Sequence, residues 1–322
     1  MNFEIPKEIN PGKVTEVTFG ATRENGGTRA RTLNIGGSNS LPFHFFEGKH
    51  PNPPVIAMEV FDRLSPKYPK VLLDYFSDVI DKPGEMAKKC VKYYGAEMIS
   101  IRLEGTHPEK GNKSPDEAVE IVREVLESVD VPVIVTGHSH FEKINEVMKK
   151  VCAATEGENC LINYVETDNY KTIAAAALAY NHTIVAQSPI DVNMAKQLNI
   201  LLTDMNFPPE KIVMDPLTGA LGYGLEYTYS IMERIRNDCL SGDKLLSCPM
   251  LVNSGYECSQ VKESKFIKED YPEWGEPELL SAYWEIATAT SLLEAGADIL
   301  IMYHPEAVKT IKNNINTIFN SK

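Results

Sequence analysis

The sequence predicts an α/β fold of the TIM type, a closed (β/α)8 barrel preceded by a short β-hairpin extension. Three observations carry this reading. Eight short runs rich in Val, Ile, Leu or Met recur from Pro54 onward. Amphipathic stretches at helical spacing lie between them. No glycine-rich phosphate loop follows the first run, where Phe61-Asp62-Arg63-Leu64 stands instead.

The runs fall at residues 55–61, 98–103, 132–136, 161–165, 183–186, 211–214, 250–252 and 298–302. Short apolar runs of this kind suit strands buried on both faces, as in a parallel sheet. Ala118, Ile121, Val122, Val125 and Val129 form one helical stripe. Phe141, Ile144, Val147, Met148 and Val151 form a second, and Val308, Ile311, Ile315 and Ile318 a third. Ser114-Pro115-Asp116-Glu117 reads as a capping box with proline in the first turn. Gly95, Gly157 and Gly296 stand between helix and strand, where a left-handed residue is expected. Strand and helix in alternation fit either a closed barrel or an open doubly wound sheet. The count of eight strands and the missing glycine loop favour the barrel.

The start of the chain reads differently. Residues 14–19 and 30–35 are strand-like, and Asn25-Gly26-Gly27 between them is a turn signal. A loop rich in Pro, His and Phe follows at residues 38–54. The division expected is an extension over residues 1–53 and a barrel over residues 54–322.

Apolar residues are 43% of the chain, enough to fill a core of this size. Against 32 Lys and Arg stand 45 Asp and Glu, a net charge of -13. That sign disfavours nucleic acid and anionic membrane surfaces as partners. No run is long and apolar enough to span a bilayer, and no apolar signal segment follows Met1, so the expected location is the cytoplasm. Six cysteines are present without a C-x-x-C pair. They are expected to be free buried thiols, and their spacing does not suit an iron–sulfur cluster.

Chemistry in such barrels gathers at the C-terminal ends of the strands. Reading off those positions gives the candidate cofactor contacts: His138 and Ser139 after the third strand, Asn163 on the fourth, Gln187 and Ser188 at the fifth. Asp215, Thr218 and Gly219 follow from the sixth, Asn253, Ser254 and Tyr256 from the seventh, and Tyr303 from the eighth. Amides and hydroxyls dominate this set, which suits hydrogen bonding to a polar ligand more than any one catalytic type.

His138 and His140 form an H-x-H pair that could seat zinc, but it follows the third strand and lacks further histidines at later strand ends. Capping the next helix or lining a polar pocket is the expectation. Cys258 or Ser254 with His304 is a weak nucleophile arrangement, and no strand ends in a Schiff-base lysine. Neither a metal ligand set nor a catalytic residue is therefore assigned. Two connections stand out. Residues 215–224 hold three glycines and permit a close backbone approach. Residues 254–277, read as one long loop, carry Tyr256, Cys258, Phe266, Tyr271 and Trp274 and could cover a ligand or dock a partner.

Several long stretches, in order, carry a family resemblance: PPVIAMEVFD from Pro53, GAEMISIRLEGTHP from Gly95, VPVIVTGHSH from Val131, ENCLINYVETDNYKTIAAAALAYNHTIVAQSPIDVNMAKQLN from Glu158, IVMDPLTGALGYGLEYTYSIMERIR from Ile212 and SAYWEIATATSLLEAGADILIMYHPEAV from Ser281. The chain resembles the small subunit of the corrinoid iron–sulfur protein, the delta subunit of the carbon monoxide dehydrogenase/acetyl-CoA synthase system. The resemblance implies a non-catalytic barrel that pairs with a larger subunit bearing a [4Fe-4S] cluster and most of the corrinoid (cobalamin) site. It also implies a role in the reductive acetyl-CoA pathway. There the cobalt takes a methyl group from a methyltetrahydrofolate methyltransferase and passes it to acetyl-CoA synthase, with the small subunit enclosing the corrinoid at the interface. No D-x-H-x-x-G cobalt-ligand motif occurs in this chain. A second reading is an autonomous pterin-dependent methyltransferase, suggested by Asp215-Pro216 ahead of a glycine-containing loop and by Asn163 at a strand end.

Overall fold

Eight apolar strands with no exposed edge close on themselves. The computed structural model describes residues 5–65 and 68–320. Two short strands, β1 (Val17–Phe19) and β2 (Leu33–Ile35), come first. The barrel strands are β3 (Val55–Phe61), β4 (Met98–Arg102), β5 (Val133–Thr136), β6 (Leu161–Val165), β7 (Thr183–Gln187), β8 (Ile212–Asp215), β9 (Met250–Val252) and β10 (Ala297–Met302). They pair in parallel in chain order, and β10 returns to β3 to complete the ring. The bounds differ from the sequence reading by no more than a residue at either end. Nearly every residue of these strands is buried, because the barrel interior covers one face and helices cover the other.

The helices are α1 (Lys70–Phe76), α2 (Pro83–Tyr94), α3 (Pro115–Ser128), α4 (Phe141–Ala154) and α5 (Tyr170–Ala179). Beyond them lie α6 (Val192–Asp204), α7 (Leu225–Leu240), α8 (Ser254–Gln260), α9 (Pro277–Glu294) and α10 (Pro305–Asn320). The predicted stripes face inward: Ala118, Val122 and Val125 on α3, Ile144, Val147, Met148 and Val151 on α4, Val308, Ile311 and Ile315 on α10. The capping box at α3 is formed on both sides. Ser114 Oγ accepts from the Glu117 amide at 3.2 Å, and Glu117 Oε2 accepts from the Ser114 amide at 2.7 Å. Ser114→Ala is expected to cost about 1 kcal/mol in urea unfolding. A variant with wild-type stability would show that α3 starts without help from its cap.

The hairpin is shorter than the sequence reading of residues 14–19 and 30–35. Its strands span three residues each. The flanking backbone is spent elsewhere: Val14 donates to Ser38 within the extension, while Thr15 donates to Ser247, Gly20 to Asn159 and Ala30 to Asp130 on the barrel. These partners place the extension at the N-terminal end of the barrel, opposite the strand C-termini. Arg29 fixes it there. Its Nε donates to Glu158 Oε2 at 2.9 Å, Nη1 donates to the Val129 and Val131 carbonyls, and Nη2 donates to the Leu126 carbonyl at 2.7 Å. Both side chains of this pair are almost wholly buried.

Residues 254–277 are not one open loop, which corrects the sequence reading. They contain α8 and two 3₁₀ turns, at Lys262–Lys265 and Pro272–Trp274. Asn253 caps α8 by accepting from the Tyr256 amide, so Ser254 and Cys258 sit in a helix and are buried. All six cysteines are free and buried, as expected. Burial pushes the Cys160 and Cys248 thiols up to about 12, which holds them protonated at neutral pH. Among the described residues no helix is long and apolar enough to cross a membrane.

Candidate functional site

The strand register brings polar side chains from successive strands into one interior network near the C-terminal end. Glu59 on β3 pairs in register with Ser100 on β4, and Arg102 pairs with Thr136 on β5. Ser100 Oγ donates to Glu59 Oε1 at 2.8 Å and lies 3.0 Å from Thr136 Oγ1. Arg102 Nε donates to Glu59 Oε2 at 2.7 Å, and the Tyr303 hydroxyl donates to the same oxygen from across the ring closure. Asn163 Nδ2 on β6 donates to Thr136 Oγ1, while Asn163 Oδ1 is buried with no hydrogen-bond partner. The Arg102 guanidinium lies 4.5 Å from the centre of the Tyr256 ring. A buried carboxylate persists in a barrel only if its oxygens are satisfied, and three donors serve Glu59 here.

A second group lies beyond β6 to β9. Gln187 Nε2 donates to Asp215 Oδ2 at 2.8 Å, and the Leu217 amide donates to Asp215 Oδ1. Burial pushes the Asp215 carboxyl up to about 6, against these hydrogen bonds and the Arg102 charge. Burial, with the Asp215 charge added, pushes Glu257 up to about 7. Burial raises Glu166 too, helped by Asp168 and Asp215. The mouth thus holds carboxyl groups that can carry a proton near neutral pH.

The structure sorts the sequence candidates. Asn163 and Tyr303 belong to the interior network, Tyr256 covers Arg102, and Gln187 with Asp215 forms the acidic side. His138 is buried: its Nε2 lies 2.9 Å from Thr106 Oγ1 and its Nδ1 accepts from the His140 amide. Burial, with the neighbouring His107, lowers its basicity to about 4. His140 Nδ1 accepts from the Lys143 amide and so caps α4, the role expected of the H-x-H pair. Among the described residues no group of three His, Cys, Asp or Glu is placed to hold a metal ion. Ser139 is exposed.

The remaining candidates each have a backbone or side-chain group engaged by the scaffold. The Ser188 amide donates to the Asp215 carbonyl. Thr218 Oγ1 accepts from the Asn253 amide, the Gly219 amide donates to Thr228 Oγ1, and Ser254 Oγ donates to the Ile301 carbonyl. A Cβ on Gly219 would lie 2.6 Å from the Gly224 backbone, so that glycine serves the loop's own packing. Glu59, Ser100, Arg102, Thr136 and Glu257 were not among the candidates. A charge inside an otherwise apolar strand, Glu59 in MEVF and Arg102 in SIRL, was the signal available.

A cleft of about 360 Å³ opens beside Arg102, lined by Phe61, Leu64, Arg63, Lys110 and Tyr256 among others. A second of about 280 Å³ lies beside Gln187, Ser188 and Asp168. A larger depression, about 790 Å³, sits at the opposite end beside Arg29, away from the strand C-termini. Most exposed large apolar side chains lie around the mouth: Leu217, Leu221, Tyr223, Tyr227, Leu279, Tyr283, Met194, Ile267 and Tyr271.

The (β/α)8 barrel is similar in fold to solved dihydropteroate synthases. Xanthomonas albilineans dihydropteroate synthase with 4-aminobenzoic acid superposes with a TM-score of 0.56 at 14% identity, covering 84% of this chain and 94% of that one. The Thermus thermophilus enzyme gives 0.53 at 14%, covering 86% and 98%. At such identities the likeness is one of fold alone. The chain belongs to the CO dehydrogenase/acetyl-CoA synthase delta subunit family, whose model matches residues 16–319. It is 40% identical to the acetyl-CoA decarbonylase/synthase complex subunit delta of Archaeoglobus fulgidus, over 98% of this chain and 71% of that protein. To the subunit of the same name from Methanocaldococcus jannaschii it is 38% identical, over 97% and 76%.

Proposed function

We propose that this chain is the non-catalytic small subunit of a corrinoid iron–sulfur methyl carrier, and that its barrel mouth closes over the corrinoid held by a larger partner subunit. The exposed apolar rim carries this reading. Leu217, Leu221 and Tyr223 on the β8–α7 connection and Tyr227 in the first turn of α7 stand beside Leu279 and Tyr283 on α9, all between 37% and 63% exposed. The two elements are tied together, since Trp284 Nε1 donates to the Leu221 carbonyl and the Leu221 amide donates to Thr288 Oγ1. An apolar patch held on a rigid frame marks an interaction surface.

The residues fit a cap more than a metal ligand. Of the histidines near the mouth, His138 and His140 each spend Nδ1 on a backbone amide, and His138 is buried. A corrin is a broad ring fringed with amides, and this rim offers apolar side chains beside the polar groups Gln187, Asp168 and Asn253. When bound, the corrinoid cobalt would supply the methyl-accepting and methyl-donating chemistry. The chain's own part would be to exclude water from the mouth and to present the rim to the larger subunit. The [4Fe-4S] cluster would reside in that subunit, with the methyltetrahydrofolate methyltransferase and acetyl-CoA synthase as exchange partners. The acidic chain also suits a basic patch on a protein partner.

The test is co-purification with the large subunit, monitored by corrin absorbance. Replacing Tyr227 and Tyr283 together by alanine is expected to weaken the heterodimer at least about tenfold. An unchanged affinity would remove the rim from the interface. Asn163 Oδ1, a buried acceptor without a donor, favours a second reading in which the mouth takes a pterin. Binding of methyltetrahydrofolate to the isolated chain would support that reading.

A further inference from the structure

Arg102 has more donors than its partner uses. A guanidinium carries five N–H groups. Only Nε–H finds a hydrogen-bond acceptor among the described residues, Glu59 Oε2 at 2.7 Å. Glu59 is itself complete with Ser100 and Tyr303, so nothing more is asked of Arg102 from that side. The side chain is only 8% exposed, and the Tyr256 ring covers one face of the fork. Its terminal nitrogens are nevertheless not sealed in, because they are absent from the fully buried unpartnered atoms and the residue lines the 360 Å³ cleft. The fork is held in place from behind and left open in front.

The cleft around it has the features of a small-molecule site. Its volume lies within the range of ligand pockets, roughly 300–1,000 Å³. Phe61, Leu64 and Tyr256 give it an apolar wall. Arg63, Arg102 and Lys110 line it together with Glu104 and Glu109, while Glu59, the partner of Arg102, lies buried behind the fork. Glu104 is paired with Lys110, which leaves the Arg102 fork as the recessed cationic group. A planar fork with two parallel donors matches the two oxygens of a carboxylate.

We infer that this cleft binds a small organic carboxylate, its oxygens on the Arg102 terminal nitrogens and its apolar body against Phe61, Leu64 and Tyr256. The site stands whether or not a corrinoid subunit covers the mouth.

The probe pair is phenylacetate and its neutral isostere phenylacetamide, added to the full chain at pH 7.5 and followed by saturation-transfer proton NMR. Phenylacetate is expected to bind at millimolar concentration, with the amide about tenfold weaker, since the fork loses its two-oxygen partner. Arg102→Lys keeps a cation for Glu59 but removes the fork, and should bring the acid down to the amide's affinity. Leu64→Trp leaves the Glu59 network alone and fills the cleft, so it should abolish binding of both probes even if the first variant fails to fold. Equal binding of acid and amide, no saturation by either below about 50 mM, or phenylacetate binding that survives Leu64→Trp would overturn the assignment.

Discussion

Arg29→Ala is expected to lower the stability of the chain by about 3–5 kcal/mol, the usual effect of removing one partner from a buried ion pair. Three losses coincide. Glu158 is left buried with no cation, the Leu126, Val129 and Val131 carbonyls lose a donor, and the hairpin loses its anchor to the end of α3. Glu158→Gln should be milder, about 1–2 kcal/mol, because the amide keeps an acceptor for Thr28 and Arg29 keeps its carbonyls. Urea unfolding followed by circular dichroism measures both. Limited proteolysis near residues 20–32 should become faster in Arg29→Ala alone. A cost below about 1 kcal/mol would mean that the backbone bonds from Thr15, Gly20 and Ala30 suffice to hold the extension.

The second large effect concerns pH. Asp215 has a folded-state pKa of about 6, above the roughly 3.9 of an unfolded aspartate. Between those values the folded chain binds more protons than the unfolded chain. Stability therefore falls as pH rises from about 4 to about 6, and this contribution is constant above that window. Asp215→Asn keeps an acceptor for the Leu217 amide and needs only a rotated Gln187 amide. It should remove this decline, so that its advantage over wild type grows with pH and reaches about 1–3 kcal/mol at pH 8. Glu257 and Glu285, each raised by burial to about 7, impose declines of their own in both proteins. The quantity to read is thus the difference between urea midpoints at pH 5 and pH 8. A variant tracking wild type at both pH values would show that Asp215 stays ionised in the folded chain.

The barrel was legible because buried parallel strands need apolar side chains on both faces, and no other element here imposes such short dense runs. The α3 start was legible for a local reason, since a capping box involves only four consecutive residues. The mouth was less so. Glu59 and Tyr303 meet only after β10 closes on β3, a contact between residues far apart in the chain, and strand-end reading looks past both Glu59 and Arg102. Ser254, Thr218 and Gly219 were chosen by position, yet local geometry turns their polar groups onto the backbone or a neighbouring hydroxyl. The stretch after β9 was misread because α8, at seven residues, is too short to show a helical period.

The buried thiols have a practical consequence. With Cys90, Cys152, Cys160, Cys239, Cys248 and Cys258 all buried, the native chain is expected to give an unreactive background toward maleimides and other alkylating reagents. One cysteine placed at Tyr93, which is 68% exposed on α2 and outside the proposed interface, would be the single attachment point for a dye or spin label. Pairing it with a label on a candidate partner turns the position of the barrel into a measurable intermolecular distance, without stripping any natural residue from the core.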